Sequence, residues 1–160
     1  MKFTTADLCD EFPESIRVAD AVFVDYGGVQ KFAGPVETLR VFEDNSLVSD
    51  TLSTPGRGRV LVVDGGGSLR TALVGSRLAG LAHTNGWAGL VVNGAIRDSV
   101  EIRSVRVGVR ALGISPLRSQ KGGKGDRGSK VSFAGVIFSP EDFLYADEDG
   151  IVVADRALGS

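Results

Sequence analysis

The clearest signal in the chain is a pair of nearly continuous apolar runs, Arg59 to Asp64 (RVLVVD) and Trp87 to Val92 (WAGLVV). Runs without polar alternation suit strands buried on both faces, as in parallel sheets. Between them lies a mainly helical stretch ending at Asn85-Gly86, so the pattern predicts a central βαβ unit, right-handed as nearly all are. The start of the helix is open on periodicity alone. It falls near Ser68, or later, with Gly75 followed by Ser76 as N-cap. Thr5 to Phe12 predicts a short helix stopped by Pro13. Phe32 to Phe42 reads as a strand with a bend or bulge at Gly34-Pro35. Glu43, Asp44 and Asn45 then precede Leu47, Val48 and Leu52 at helical spacing, and Pro55-Gly56 ends that helix. A short helix is expected over Ser99 to Arg103 and a strand over the alternating Val105 to Leu112. Lys121 to Gly128 (KGGKGDRG) reads as a flexible basic loop. Val131 to Phe138 and Phe143 to Val153 read as antiparallel strands, with Asp149-Gly150 as a hairpin turn. The expectation is one α/β domain with a mixed sheet over residues 1–160.

Composition narrows the classes. The chain has 160 residues, 42% apolar and 24% charged, which suits an ordinary globular domain rather than a disordered or fibrous chain. Its 18 basic and 20 acidic residues give a net charge of −2, unlike a protein that binds nucleic acid directly through a basic surface. One cysteine, Cys9, excludes an intramolecular disulfide and a multi-thiolate zinc site. No apolar run is long enough to span a membrane, and Met1 to Asp10 (MKFTTADLCD) lacks the apolar core of a signal peptide. A cytoplasmic location is therefore expected. The one departure is glycine, at 22 residues, which means either many tight turns or backbone closely approaching a ligand.

Ligands of open α/β sheets sit outside the carboxyl ends of the parallel strands. Two loops would meet there, Asp64 to Ser68 and Asn93 to Ser99 (NGAIRDS). The second carries Arg97 and Asp98. Arginine grips carboxylates in a bidentate fork, and magnesium commonly takes only one or two protein carboxylates, leaving the rest to substrate and water. The alternative is a helix cap with a surface ion pair worth about 0–1 kcal/mol. Gly65-Gly66-Gly67 completes neither common nucleotide-binding pattern, because position 70 is Arg70 and no GxxxxGK[ST] follows a strand. His83, the sole histidine, reads as a solvated position or a cation at a helix C-terminus. Cys9 reads as a packing residue, Asp147, Glu148 and Asp149 as a solvated turn, and Glu43-Asp44 as a helix cap.

RVLVVDGGGSLRTALVG followed by GWAGLVVNGAIRD resembles the family that joins regulator of ribonuclease activity A with the class II 4-hydroxy-4-methyl-2-oxoglutarate aldolases. FAGPVETLRVFEDNSLV and FAGVIFSPEDFLYADEDGIVV extend the resemblance over nearly the whole chain. It implies a swivelling β/β/α fold and a ring-shaped homotrimer with the site between neighbouring subunits. It also implies a Gly-Asp-Leu-Leu-like segment whose amides, with an arginine, hold a substrate carboxylate. Here that segment falls on Gly75, Ser76, Arg77 and Leu78, which supports the later helix start, since a helix N-terminus offers free N–H groups. Arg97-Asp98 matches the family's catalytic Arg-Asp pair, the aspartate binding Mg²⁺ or Mn²⁺. The implied activity is cleavage of 4-hydroxy-4-methyl-2-oxoglutarate to pyruvate, together with oxaloacetate decarboxylation.

Ser76 departs from the motif's aspartate. Retro-aldol cleavage needs a base for the C4 hydroxyl proton, whereas decarboxylation does not, so decarboxylation is expected to be the better retained. A neighbouring subunit is the other possible source of such an acid. The resemblance carries a second possibility, a non-enzymatic regulator that binds and inhibits a ribonuclease E-type endoribonuclease and modulates RNA decay. A third, methyl transfer in the menaquinone pathway, finds no completed cofactor-binding glycine pattern. The expected partners are thus a small 2-oxo acid, further copies of the chain and an endoribonuclease, with neither nucleic acid nor membrane bound directly.

Overall fold

The computed structural model describes residues 2–159. Among these residues there are four helices: α1 (Thr5–Glu11), α2 (Ser46–Leu52), α3 (Ser76–Thr84) and α4 (Ser99–Ile102). The first strands are β1 (Arg17–Val18), β2 (Val24–Asp25), β3 (Phe32–Arg40), β4 (Val60–Asp64), β5 (Ala72–Val74) and β6 (Gly89–Ile96). Then come β7 (Gly108–Ile114), β8 (Asp126–Arg127), β9 (Val131–Phe133), β10 (Val136–Phe138), β11 (Phe143–Asp147) and β12 (Gly150–Ala154).

The apolar runs are central strands. β4 lies parallel to β3 on one side and to β6 on the other, and β6 continues parallel to β7. Along β4, Leu61 and Val63 enter one core with α2, α3 and α4, while Val60 and Val62 enter a second core with Phe138 and Leu144. Both faces are therefore apolar, which is why alternation is absent. The main sheet runs β1-β12-β11-β3-β4-β6-β7-β2, with β5 added to β6 and β8 to β3. Its end strands β1 and β2 are separated by only a few residues of chain, so the sheet curls towards closure. This is the α/β architecture with a mixed sheet and a central βαβ unit.

Four local expectations change. β3 is continuous through Gly34-Pro35, where it changes partner: Phe32 to Pro35 pair antiparallel with β11 and Val36 to Arg40 pair parallel with β4. The segment from Val131 to Phe138 is a hairpin, because Ala134 (φ 52°) and Gly135 (φ 76°) form a two-residue turn with both residues left-handed. The crossover holds the short strand β5 before its helix, so the later of the two helix starts is correct, except that Gly75 is the N-cap and Ser76 the first helical residue. Asp147 is buried rather than solvated. It accepts hydrogen bonds from Thr5 N and Thr5 Oγ1, both at 2.7 Å, and ties α1 to the last hairpin. Burial alone would raise its carboxyl pKa, but the bonds from Thr5 and from the Asp149 and Gly150 amides outweigh that and hold it below the ordinary value.

Candidate active site

Strand register assembles the site. Val74, the last residue of β5, pairs with Ile96, the last of β6. The residues that follow, Gly75-Ser76 and Arg97-Asp98, therefore leave the sheet at the same edge although they are distant in sequence. Arg97 N donates to Val74 O at 2.9 Å, which fixes the two exits together. Gly75 is the N-cap of α3 and supplies no side-chain cap. Asp98 supplies it instead: its Oδ2 accepts from Ser76 N at 2.8 Å. The contact requires glycine at 75, since a Cβ there would stand 2.8 Å from Asp98 Oδ2. Asp98 is itself left-handed (φ 59°), an uncommon state for a non-glycine residue and one that aspartate tolerates better than most.

Ser76 N is thus occupied, while Arg77 N and Leu78 N donate to no acceptor among the described residues. Free N–H groups at the positive end of a helix are oriented to donate to an anion. The Leu78 side chain is buried in the core and holds this turn in place. Arg97 is half-buried, its Nη1 reaching Pro116 O at 3.4 Å, and it forms no ion pair with Asp98. Of the alternative reading for Arg97-Asp98, the helix cap is present, with Asp98 capping α3 and standing at the N-cap of α4, and the ion pair is not. A cavity of about 250 Å³ lies between the two exits.

All six residues expected at the site, Gly75, Ser76, Arg77, Leu78, Arg97 and Asp98, line this cavity. The sequence reading missed Asn45, Arg118, Ser119 and Lys121, which line it too. They arrive through two isolated parallel bridges, Ala72 to Arg118 and Asp44 to Gln120. The one available signal was the cluster of basic residues in LRSQKGGK. Four cationic side chains, Arg77, Arg97, Arg118 and Lys121, face a single carboxylate, so the cavity favours anions.

Asp98 is the only acid lining the cavity among the described residues. Its Oδ1 accepts no hydrogen bond, and no group of three or more His, Cys, Asp or Glu side chains occurs among the described residues. One hard carboxylate oxygen open to the cavity fits Mg²⁺ or Mn²⁺ completed by solvent and substrate, and does not fit a closed thiolate or imidazole centre. The other candidates lie elsewhere. His83 is exposed on α3, and half-buried Cys9 lies on α1, against the core cluster of Leu8, Tyr145 and Val152. Glu43 is taken by Ser68 Oγ at 2.7 Å.

Fold and site together define an α/β protein with a curled mixed sheet and a cation-rich cavity lined by a helix N-terminus, an arginine and an aspartate. The chain belongs to the RraA-like family (Aldolase/RraA), whose model matches residues 5–153. It is 54% identical over 158 residues to a protein of Alkalilimnicola ehrlichii named "Putative 4-hydroxy-4-methyl-2-oxoglutarate aldolase", covering 99% of this chain and 98% of that one. A protein of Laribacter hongkongensis with the same name is 55% identical, with 99% of each chain covered. Among solved structures, the RNA-processing inhibitor RraA from Thermus thermophilis superposes with a TM-score of 0.96 at 48% identity, covering 100% of this chain and 97% of that one. A Geobacillus kaustophilus structure named as an S-adenosylmethionine: 2-dimethylmenaquinone methyltransferase also superposes with a TM-score of 0.96, at 49% identity, covering 98% of this chain and 97% of that one. No described helix is long and apolar enough to cross a membrane.

Proposed function

We propose that this chain is a divalent-cation-dependent carbon–carbon lyase acting on 2-oxo acids, with oxaloacetate decarboxylation better retained than cleavage of 4-hydroxy-4-methyl-2-oxoglutarate. One observation carries the reading: the free amides of Arg77 and Leu78, the Arg97 guanidinium and the Asp98 carboxylate line one small cavity. Asp98 would hold Mg²⁺ or Mn²⁺. When bound, the cation supplies a Lewis acid for the 2-oxo group, worth several kcal/mol of charge stabilisation.

The protein's own groups do the rest. Arg77 N, Leu78 N and Arg97 hold the substrate's 1-carboxylate and set its orientation. In oxaloacetate, the bond from C3 to the distal carboxylate breaks and carbon dioxide leaves. The electron pair passes into the pyruvate enolate, whose charge Arg97 stabilises. Solvent returns a proton to C3, giving pyruvate. Aldol cleavage needs one further group, a base for the C4 hydroxyl proton. Ser76 is a poor base, and no second acid lines the cavity among the described residues, which supports the proposed order of activities.

We also propose a homotrimer with the cavity at the contact between subunits. Exposed Ile114 and Leu117, on the segment that brings Arg118 and Ser119 to the cavity, support a covered surface there. Sedimentation at micromolar concentration should give three times the chain mass.

The test of the lyase reading couples pyruvate release from oxaloacetate to lactate dehydrogenase. Turnover above the metal-only background that disappears with EDTA supports it. Ser76→Asp should raise aldol cleavage about 100-fold relative to decarboxylation, the size of a general-base contribution; an unchanged ratio contradicts the assigned role of position 76. The likeness to the RNA-processing inhibitor favours a second reading, a regulator that binds a ribonuclease E-type endoribonuclease. Binding to such an enzyme with no turnover of either 2-oxo acid selects that reading.

A further inference from the structure

Asp44 stands outside the cavity, yet it is almost fully buried, with only 4% of its surface exposed. Its two oxygens serve different elements. Oδ1 accepts from Ser46 N at 3.0 Å and Ser46 Oγ at 2.7 Å, capping α2. Oδ2 accepts from Gly122 N at 2.7 Å and Lys124 N at 3.4 Å, in the loop KGGKG. Ser46 Oγ also accepts from Gly123 N at 3.0 Å. Every residue from 120 to 125 is exposed, so this loop has little packing to hold it. Its glycines would otherwise leave it many conformations. Lys121, which lines the cavity, sits at the head of the loop, with Nζ 3.5 Å from Asn45 Oδ1. Asn45 lies between the two residues that do the tethering.

We propose that Asp44 is a positioning residue: its Oδ2 latches the glycine-rich loop so that Lys121 is held at the cavity, joining the start of α2 to the anion pocket. The inference deepens the function proposed above, since it assigns the latch a part in holding an anionic substrate. The capping oxygen alone would satisfy α2. Backbone bonds from Gln120 N to Glu43 O (2.9 Å) and from Asn45 N to Gln120 O (3.2 Å) hold the residue before Lys121, and the second oxygen, turned to the loop amides, holds the residues after it.

Asp44→Asn separates the two roles. The amide keeps an oxygen for Ser46 and turns an NH₂ group towards Gly122 N and Lys124 N, donor against donor. Amide hydrogen exchange and calorimetric titration with oxalate, on the full chain, provide the test. In Asp44→Asn, exchange protection at Gly122 and Lys124 should fall at least about tenfold while α2 keeps its protection. Oxalate should bind about tenfold more weakly, as expected for one lost charge-assisted contact. Lys121→Ala should weaken oxalate similarly, and the double variant should be no weaker than Lys121→Ala alone, since both act through one group. Ser46→Ala, a milder change, should loosen Gly123 and weaken oxalate in the same direction.

Retained protection at Gly122 and Lys124 in Asp44→Asn overturns the latch. Additive losses in the double variant, or oxalate affinity unchanged by Asp44→Asn, overturn the positioning role. Absence of saturable oxalate binding to the wild type overturns it together with the anion pocket. Latch behaviour as described, in a protein that does not turn over oxaloacetate, supports this inference and overturns only the lyase reading.

Discussion

Two turns leave parallel strands that both pair with β6, and they use their amides in opposite ways. In the glycine triplet after β4, Gly65 N and Gly67 N donate to Asn93 O, at 3.0 and 3.1 Å, and Gly66 N donates to Asp64 Oδ1 at 2.9 Å. Every triplet N–H is consumed by the fold. In the turn after β5, Ser76 N is taken by Asp98, and Arg77 N and Leu78 N remain free. An anion site therefore depends on which N–H groups are left over, not on how many glycines a turn contains. The triplet looks like a phosphate loop and is a scaffold turn, whereas the second turn carries one glycine and is open to a ligand.

Loss of Asp98 should have the largest effect. Asp98→Ala removes the proposed cation ligand, and cation-dependent turnover of oxaloacetate should fall to background in the coupled assay. Full cation-dependent activity in that variant would eliminate the assignment. Arg97→Ala should lose about 1.5–3 kcal/mol of transition-state stabilisation, roughly 10- to 150-fold in kcat/KM, from one charge-assisted hydrogen bond. Gly67→Ala sharpens the contrast from the other side. Gly67 is left-handed (φ 76°) with open space around its missing side chain, so the substitution should cost about 1–2 kcal/mol of stability through backbone strain alone. Thermal unfolding should register that cost while KM for oxaloacetate stays the same.

The smallest effect belongs to the scaffold carboxylates. For Asp44, as for Asp147, burial would raise the carboxyl pKa, but hydrogen bonds, here from Ser46, Gly122 and Lys124, hold it below the ordinary 3.8. A carboxyl with a lowered folded-state pKa stabilises the fold above its unfolded value, and that contribution is lost as pH falls through the folded value. Stability should thus decline with acidification beginning near pH 4. Asp147→Asn should flatten part of that decline, measured as the unfolding midpoint against pH.

How much was legible follows the same division. The βαβ unit could be read because β4 and β6 are buried on both faces and leave uninterrupted apolar runs. Arg97-Asp98 could be read because it lies in the loop expected after such a run, although the strand itself continues through Asn93 to Ile96. The family resemblance placed Gly75 to Leu78, which periodicity alone left open. β5 escaped notice because three residues carry no period, and its existence depends on pairing with Ala95 and Ile96. The turn at Ala134-Gly135 was hidden by an alanine in a position that asparagine, aspartate or glycine usually marks. Arg118 and Lys121 were out of reach because the bridges Ala72 to Arg118 and Asp44 to Gln120 join segments far apart in sequence. Burial of Asp147 depends on Thr5 at the opposite end of the chain, a contact no local window contains.

The most direct test of the central claim is a crystal structure with pyruvate and Mg²⁺ bound. The pyruvate carboxylate should lie within hydrogen-bond reach of Arg77 N, Leu78 N and the Arg97 guanidinium, with the cation on Asp98. Pyruvate seated away from the α3 N-terminus, or a cation held by residues other than Asp98, would contradict it.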